Sequence, residues 1–245
     1  MTAVALDQLG MEFAGTPVLS DITVQFPHES ITAVIGRSGS GKSTLLRSIN
    51  GLVRPTSGRV EVMGNPIDYQ ELPALRRGIG YAVQGTGLFP HLSVESNITL
   101  PARLAKWDSA RLSSRLEHLL KLVHLDRELL PRYPHELSGG QQQRAGLARA
   151  MILEPPLLLL DEPFAALDPL TRLDVHRQLL ELQRAEPRCI LLVTHDMREA
   201  MQLADRIIVL EQGRLLEMAT VDELKARHPD LEPEEVLLKL LGEST

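Results

Sequence analysis

Residues 36–44 read Gly-Arg-Ser-Gly-Ser-Gly-Lys-Ser-Thr and fit the spacing G-x-x-x-x-G-K-[ST]. No other stretch restricts the fold as strongly. Gly36, Gly39 and Gly41 can take positive φ and bring backbone N–H groups against phosphate oxygens. A helix starting near Gly41 would point its positive N-terminal end at the same anion. Lys42 is placed to reach the β- and γ-phosphates of a nucleotide, and the Ser43 hydroxyl is a ligand for Mg²⁺. Arg37, Ser38, Ser40 and Thr44 complete the cradle. A Gly/Ser turn would look similar in isolation, but the motif also demands a buried strand before it and a helix after it. Both are predicted. Ile31–Ile35 is a short, largely β-branched run ending at Gly36, and Leu45, Leu46 and Ile49 recur at helical spacing up to Gly51.

The rest of the chain alternates in the same way. Residues 58–63 read as a strand, as do Leu157–Leu160, Ile190–Val193 and Ile207–Leu210. The last of these leads through Glu211-Gln212-Gly213-Arg214 into a predicted hairpin. Between them, Asp108–Val123 places Leu112, Leu116, Leu119, Leu120 and Val123 on one helical stripe with Asp108 as N-cap, and residues 140–153 also read as helix. The expectation is an α/β domain interrupted by a mainly helical insert at about residues 88–150, with a short apolar-faced helix near the end.

Composition narrows the function. Lys+Arg number 26 against Asp+Glu 32, a net charge of −6, which argues against a basic nucleic-acid-binding surface. The one cysteine, Cys189, admits neither an internal disulfide nor a Cys-based zinc site. No apolar run approaches the roughly 20 residues of a bilayer span, and Met1–Asp7 does not read as a secretory signal. Aromatics make up only 3% of the chain, so the core is expected to be aliphatic and each aromatic stands out.

Asp161 follows the apolar run Leu157–Leu160, at the carboxyl end of a predicted parallel strand, where open α/β sheets bind ligands. It could hold Mg²⁺, and Glu162 next to it could act as general base on an attacking water. A strand-ending acid that caps the turn at Pro163 is the plainer reading of Asp161 alone. The phosphate cradle upstream favours the metal-holding one.

Leu137-Ser138-Gly139-Gly140-Gln141-Gln142-Gln143-Arg144 opens a helix with Ser138 as its cap, a second potential anion site. Here the chain resembles the ATP-binding cassette (ABC) ATPases, whose signature reads LSGGQ. The resemblance runs over residues 4–220 in the family's motif order. It implies a P-loop NTPase fold of the α/β class, with a RecA-like core (residues 1–87 and 151–220), an N-terminal antiparallel β subdomain, an inserted helical signature subdomain (88–150) and a C-terminal helical tail (221–245). Gln84 is similar to the Q-loop glutamine, a sensor of Mg²⁺ and nucleotide. Asp168, in Ala166-Leu167-Asp168, is similar to the D-loop aspartate, and His195 to the switch histidine. Phe13 stands where the family places an adenine-stacking aromatic, although packing would explain it nearly as well.

The family closes two cassettes head-to-tail around two ATP molecules. By resemblance, Ser138, Gly139, Gly140 and Gln141 would act on ATP bound to a second copy, with Glu162, His195 and Gln84 catalytic. Pro27–Ser30 replaces the family's usual Gly-Glu, Gly85-Thr86-Gly87 follows the Q-loop glutamine, and Met151 takes a usually smaller position. None of these departures removes a catalytic group. Leu88–Val94 is similar to importer cassettes. Pro101–Trp107, Arg132-Tyr133-Pro134 and Ala166–Arg172 are similar to the osmoprotectant group, which imports glycine betaine, choline or carnitine. The resemblance implies a homodimer at the cytoplasmic face of the membrane, bound to transmembrane permease subunits. It would be served indirectly by a substrate-binding protein and would have no nucleic-acid partner. Import of polar amino acids and service to an exporter are the alternatives. The 245 residues are expected to leave no room for appended regulatory CBS modules.

Overall fold

The computed structural model describes residues 1–85, 87–165 and 167–242. Ala166 of the expected D-loop, Thr86 after Gln84, and the last three residues of the expected tail lie outside them. In chain order the elements are β1 (Thr2–Phe13), β2 (Thr16–Pro27), β3 (Ile31–Ile35), α1 (Lys42–Ile49), β4 (Ser57–Val62), β5 (Asn65–Pro66), α2 (Leu72–Arg77), β6 (Ile79–Ala82), α3 (Val94–Leu104), α4 (Ser109–Leu122), α5 (Gly139–Met151), β7 (Leu157–Asp161), α6 (Pro169–Ala185), β8 (Cys189–Val193), α7 (Met197–Leu203), β9 (Arg206–Glu211), β10 (Arg214–Thr220), α8 (Val221–Arg227) and α9 (Pro233–Leu240). They fall into two units, Met1–Arg76 with Cys189–Thr245, and Arg77–Arg188.

The first unit holds an antiparallel sheet ordered β2-β1-β4-β5 and a run of strands ordered β10-β9-β3-β8. β3 pairs in parallel with both β8 and β9, and all five residues of β3 and of β8 are buried. That two-sided burial explains why these strands are continuous apolar runs rather than alternating ones. β1 behaves differently. Its buried positions shift from Val4 and Leu6 to Leu9 and Met11 across a register irregularity where Gln8 takes φ 49°. A bulge of this kind erases the period-two signal a strand would otherwise show. α7, α8 and α9 close the core around Ala33, Ile35, Ile207 and Val209, with Met197, Leu224 and Val236 buried against them. β9 and β10 form the expected hairpin through Gln212 (φ 47°) and Gly213 (φ 76°), the left-handed pair a two-residue turn requires.

The second unit contains the parallel pair β6–β7 and helices α3 to α6. Each helix start is capped by its own sequence. Ser93 accepts from Ser96 N on α3, Asp108 from Arg111 N on α4, Ser138 from Gln141 N on α5, and Asp168 from Thr171 N on α6. Buried Arg115 of α4 binds Glu186, just past α6, through both guanidinium nitrogens (2.6 and 3.0 Å). His118 and Arg188 bind the same carboxylate. These hydrogen bonds, Arg115's foremost, hold the Glu186 carboxyl down at about 2.

Candidate functional site

In the first unit the loop 36–41 is shaped by contacts that leave no room for side chains. A Cβ on Gly36 (φ 151°) would lie 2.0 Å from the Leu210 carbonyl oxygen, and one on Gly41 (φ 102°) would lie 2.6 Å from the Leu19 side chain. The loop is tied down at a second point, where Gly213 N donates to the Ser40 carbonyl (3.1 Å) and Ser20 N to the Gly213 carbonyl (2.8 Å). Backbone hydrogen bonds therefore join strand β2, the β9–β10 turn and the loop. α1 begins at Lys42 with Gly41 as N-cap and no side-chain cap, so its first N–H groups point to the loop's interior. Lys42 is buried, and its Nζ donates to the carbonyls of Gly36 and Arg37, both at 2.7 Å. The loop thus curls around an ammonium group, with Ser43 and Thr44 half-buried on the first turn of α1. Arg37, Ser38 and Gly39 are exposed and Ser40 is buried.

Strand register places His195. Val34 of β3 lies opposite Val193 of β8, and Gly36 and His195 each stand two residues beyond that pair. The exposed histidine therefore emerges beside the start of the loop. It is followed by Asp196, which caps α7 by accepting from Glu199 N. Phe13 ends β1 opposite Thr16 and is 48% exposed, so its ring is not a core group.

The second unit repeats this construction. Ala82 of β6 lies opposite Leu160 of β7, and Gln84 and Glu162 each stand two residues further on. The Gln84 amide donates to Glu162 Oε2 at 3.2 Å. Asp161 is buried at the end of β7 and accepts from the Tyr81 hydroxyl at 3.5 Å. Glu162 has φ 47°, a conformation that non-glycine residues rarely take and that marks functional turns when the surroundings enforce it. Among the described residues no three His, Cys, Asp or Glu side chains form a metal cage. The oxygen donors on Ser43 in the first unit, and on Gln84 and Asp161 in the second, are each of the hard type that Mg²⁺ takes.

At the head of α5, Ser138 Oγ accepts from Gln141 N and Gln141 Oε1 accepts from Ser138 N (2.9 Å). Gln141 is thus committed to this capping box. A Cβ on Gly140 would meet the Thr171 side chain at 2.4 Å, so the start of α5 packs directly on the start of α6. That places the Ser138 and Asp168 caps on neighbouring helix ends. The hydrogen bonds from Thr171 lower the Asp168 carboxyl below its ordinary value.

Two further residues organise this unit. Asn97, fully buried on α3, accepts from Phe89 N (2.7 Å) and donates to the carbonyls of Phe89, Leu92 and Ser93. Arg149 of α5 lies 5.7 Å from the Phe89 ring centroid and donates to the Gly87 carbonyl. Together they hold Phe89 in place with 42% of its surface exposed. The role of Asn97 shows only once α3 is seen to bury it, because no helix over these residues is predicted from the sequence. Arg149 carries no local signal.

Comparison with known proteins agrees with this geometry. Residues 19–165, more than half the chain, match the family described as ABC transporter. The glycine betaine/carnitine/choline transport ATP-binding protein OpuCA of Bacillus subtilis is 46% identical over 210 residues, covering 86% of this chain and 55% of that protein. The osmoprotectant import ATP-binding protein OsmV of Salmonella typhimurium is 42% identical over 230 residues, covering 91% and 60%. The chain thus spans little more than half the length of these relatives. Among solved structures, the dimeric post-hydrolysis state of the ATP-binding cassette MJ0796 bound to ADP and Pi superposes with a TM-score of 0.79 at 30% identity. It covers 89% of this chain and 98% of that one.

Proposed function

The chain belongs to the ABC transporter family, and from that premise we propose that it is the ATP-hydrolysing subunit of an importer for quaternary-amine osmoprotectants such as glycine betaine or choline. The observation that carries the hydrolytic part is the pairing of Gln84 with Glu162 at the ends of adjacent parallel strands. It sets an amide sensor on the carboxylate that would take a proton from water.

In this reading the loop 36–41 and the start of α1 bind the phosphates through backbone N–H groups. Lys42 exchanges its loop carbonyls for β- and γ-phosphate oxygens, so its charge is already in position when nucleotide arrives. Phe13 offers its exposed ring to the adenine. Ser43, Asp161 and Gln84 would hold Mg²⁺, which would offset phosphate charge. Glu162 accepts the proton of the attacking water, and His195 orients the γ-phosphate. Ser138, Gly139 and Gly140 complete the site on a second copy of the chain, while Asp168 couples the two sites. Residues 88–150 form the signature-bearing subdomain and residues 221–245 a tail. Phe89 faces the permease, and the subunit sits peripherally on the membrane. Among the described residues no helix is long and apolar enough to cross a membrane.

The substrate class rests on the osmoprotectant relatives. Its test is recovery of the tagged chain from its own membranes with the permease it binds, followed by reconstitution in proteoliposomes. ATP-dependent accumulation of labelled glycine betaine or choline is expected. Accumulation of a polar amino acid or of a ferric complex instead would overturn the substrate assignment. The Phe89→Ala protein should keep its basal ATPase and lose transport, whereas normal uptake would remove Phe89 from the docking surface.

A further inference from the structure

The segment between β7 and α6 carries Glu162, the proposed base, and Asp168, proposed to couple the two sites, and it must keep Glu162 at φ 47°. Backbone strain of this kind persists only where neighbouring contacts enforce it. Two residues beyond Glu162, Phe164 is buried with 3% of its surface exposed. Its ring meets that of His176 edge-to-face, with centroids 4.6 Å apart and planes at 70°. His176 is itself buried, 6% exposed, near the middle of α6. A buried polar ring packed on Phe164 ties the middle of α6 to the segment that carries Glu162.

α6 is in turn fixed to the signature helix. Arg144 of α5 pairs with Asp174, Gln178 donates to the same carboxylate at 2.9 Å, and Gly140 packs on Thr171. The Arg172 guanidinium donates to the Leu167 carbonyl at the far end of the segment (3.2 Å). The helix that registers the signature therefore also grips the Glu162 segment, at Phe164 and at Leu167.

We infer that His176 is a positioning residue for Glu162: the edge-to-face contact with Phe164 holds the strained segment so that the carboxylate stays aimed at the attacking water. The inference rests on the hydrolytic role proposed for Glu162. His176 touches no reacting atom, so its removal should change turnover rather than nucleotide binding.

The test compares wild type with His176→Leu, Phe164→Leu, the double variant and His176→Phe, reading kcat and KM for ATP per nucleotide-binding protein. Each leucine variant should lose about three- to tenfold in kcat, the rate equivalent of one aromatic contact, with KM within about twofold. The double variant should be no slower than the slower single one, since both changes remove the same contact. His176→Phe, which keeps a ring at that position, should restore kcat. If His176→Leu does not fold, Phe164→Tyr against Phe164→Leu carries the comparison, with full kcat expected only when the ring is kept. Wild-type kcat in the ring-deleted proteins, a change confined to KM, or losses that multiply in the double variant would overturn the inference. A Glu162→Gln protein that still hydrolyses ATP would overturn the base assignment and this inference with it. An inactive Glu162→Gln protein beside a fully active His176→Leu protein would overturn this inference alone.

Discussion

Single residues would carry the proposed phosphate chemistry, and their surroundings say how each would fail. Lys42 is buried and held by two loop carbonyls, so Lys42→Ala removes both a charge and the centre of the loop. ATP affinity should fall at least about tenfold, the scale of one charge-assisted contact, as read by titration with a fluorescent nucleotide; unchanged affinity would contradict the cradle. Cys189 is the opposite case. Burial raises its thiol to about 12, so it should resist alkylation at neutral pH until the protein unfolds. Rapid labelling of the native protein would contradict that burial. The loop is legible in the sequence because its motif puts glycine and lysine at fixed spacing. The φ of Glu162 is not, because nothing in the letter Glu announces a left-handed backbone.

Elements decide which of these residues meet. β3, β7 and β8 are visible in the sequence as apolar runs because both their faces are covered, and the hairpin after β9 is visible through Gln212-Gly213. β1 hides behind its bulge at Gln8. The Gln84–Glu162 and Gly36–His195 neighbourhoods come from parallel register between segments far apart in sequence, which no local pattern encodes. Family motif order alone points to Gln84, and that order together with the predicted strand Ile190–Val193 points to His195.

The link between α4 and the end of α6 makes a pH prediction. Glu186 has its carboxyl lowered from 4.5 to about 2 by Arg115 and its other partners. A lowered folded-state value means the stabilisation is fully present above about pH 4.5 and is lost as pH falls toward 2. Glu186→Gln leaves the buried Arg115 with only the more distant Glu154 carboxylate (3.9 Å) and should cost roughly 3 kcal/mol at neutral pH. Thermal unfolding across pH should show the gap between the two proteins closing through that window, and a gap independent of pH would contradict the assignment. At the head of α5, Ser138→Ala should cost about 1 kcal/mol by loss of the cap. Denaturant unfolding would measure it, and an unchanged midpoint would contradict the capping box.

At the scale of the molecule, the chain has a net charge of −6, and no helix among its described residues is long and apolar enough to cross a membrane. It shares its fold with a cassette solved as a dimer after hydrolysis. The two caps at Ser138 and Asp168 lie on adjacent helix ends of one unit, which fits their proposed use by a second copy. Hydrolysis and association are therefore expected to be linked, with Glu162 the residue that ends the associated state. The most direct measurement is ATP turnover by wild type and Glu162→Gln, with the oligomeric state of each recorded in the presence of ATP and Mg²⁺. Steady hydrolysis by wild type, lost turnover in the variant and a stable ATP-bound dimer formed by the variant alone are expected. Undiminished hydrolysis by Glu162→Gln would contradict that expectation.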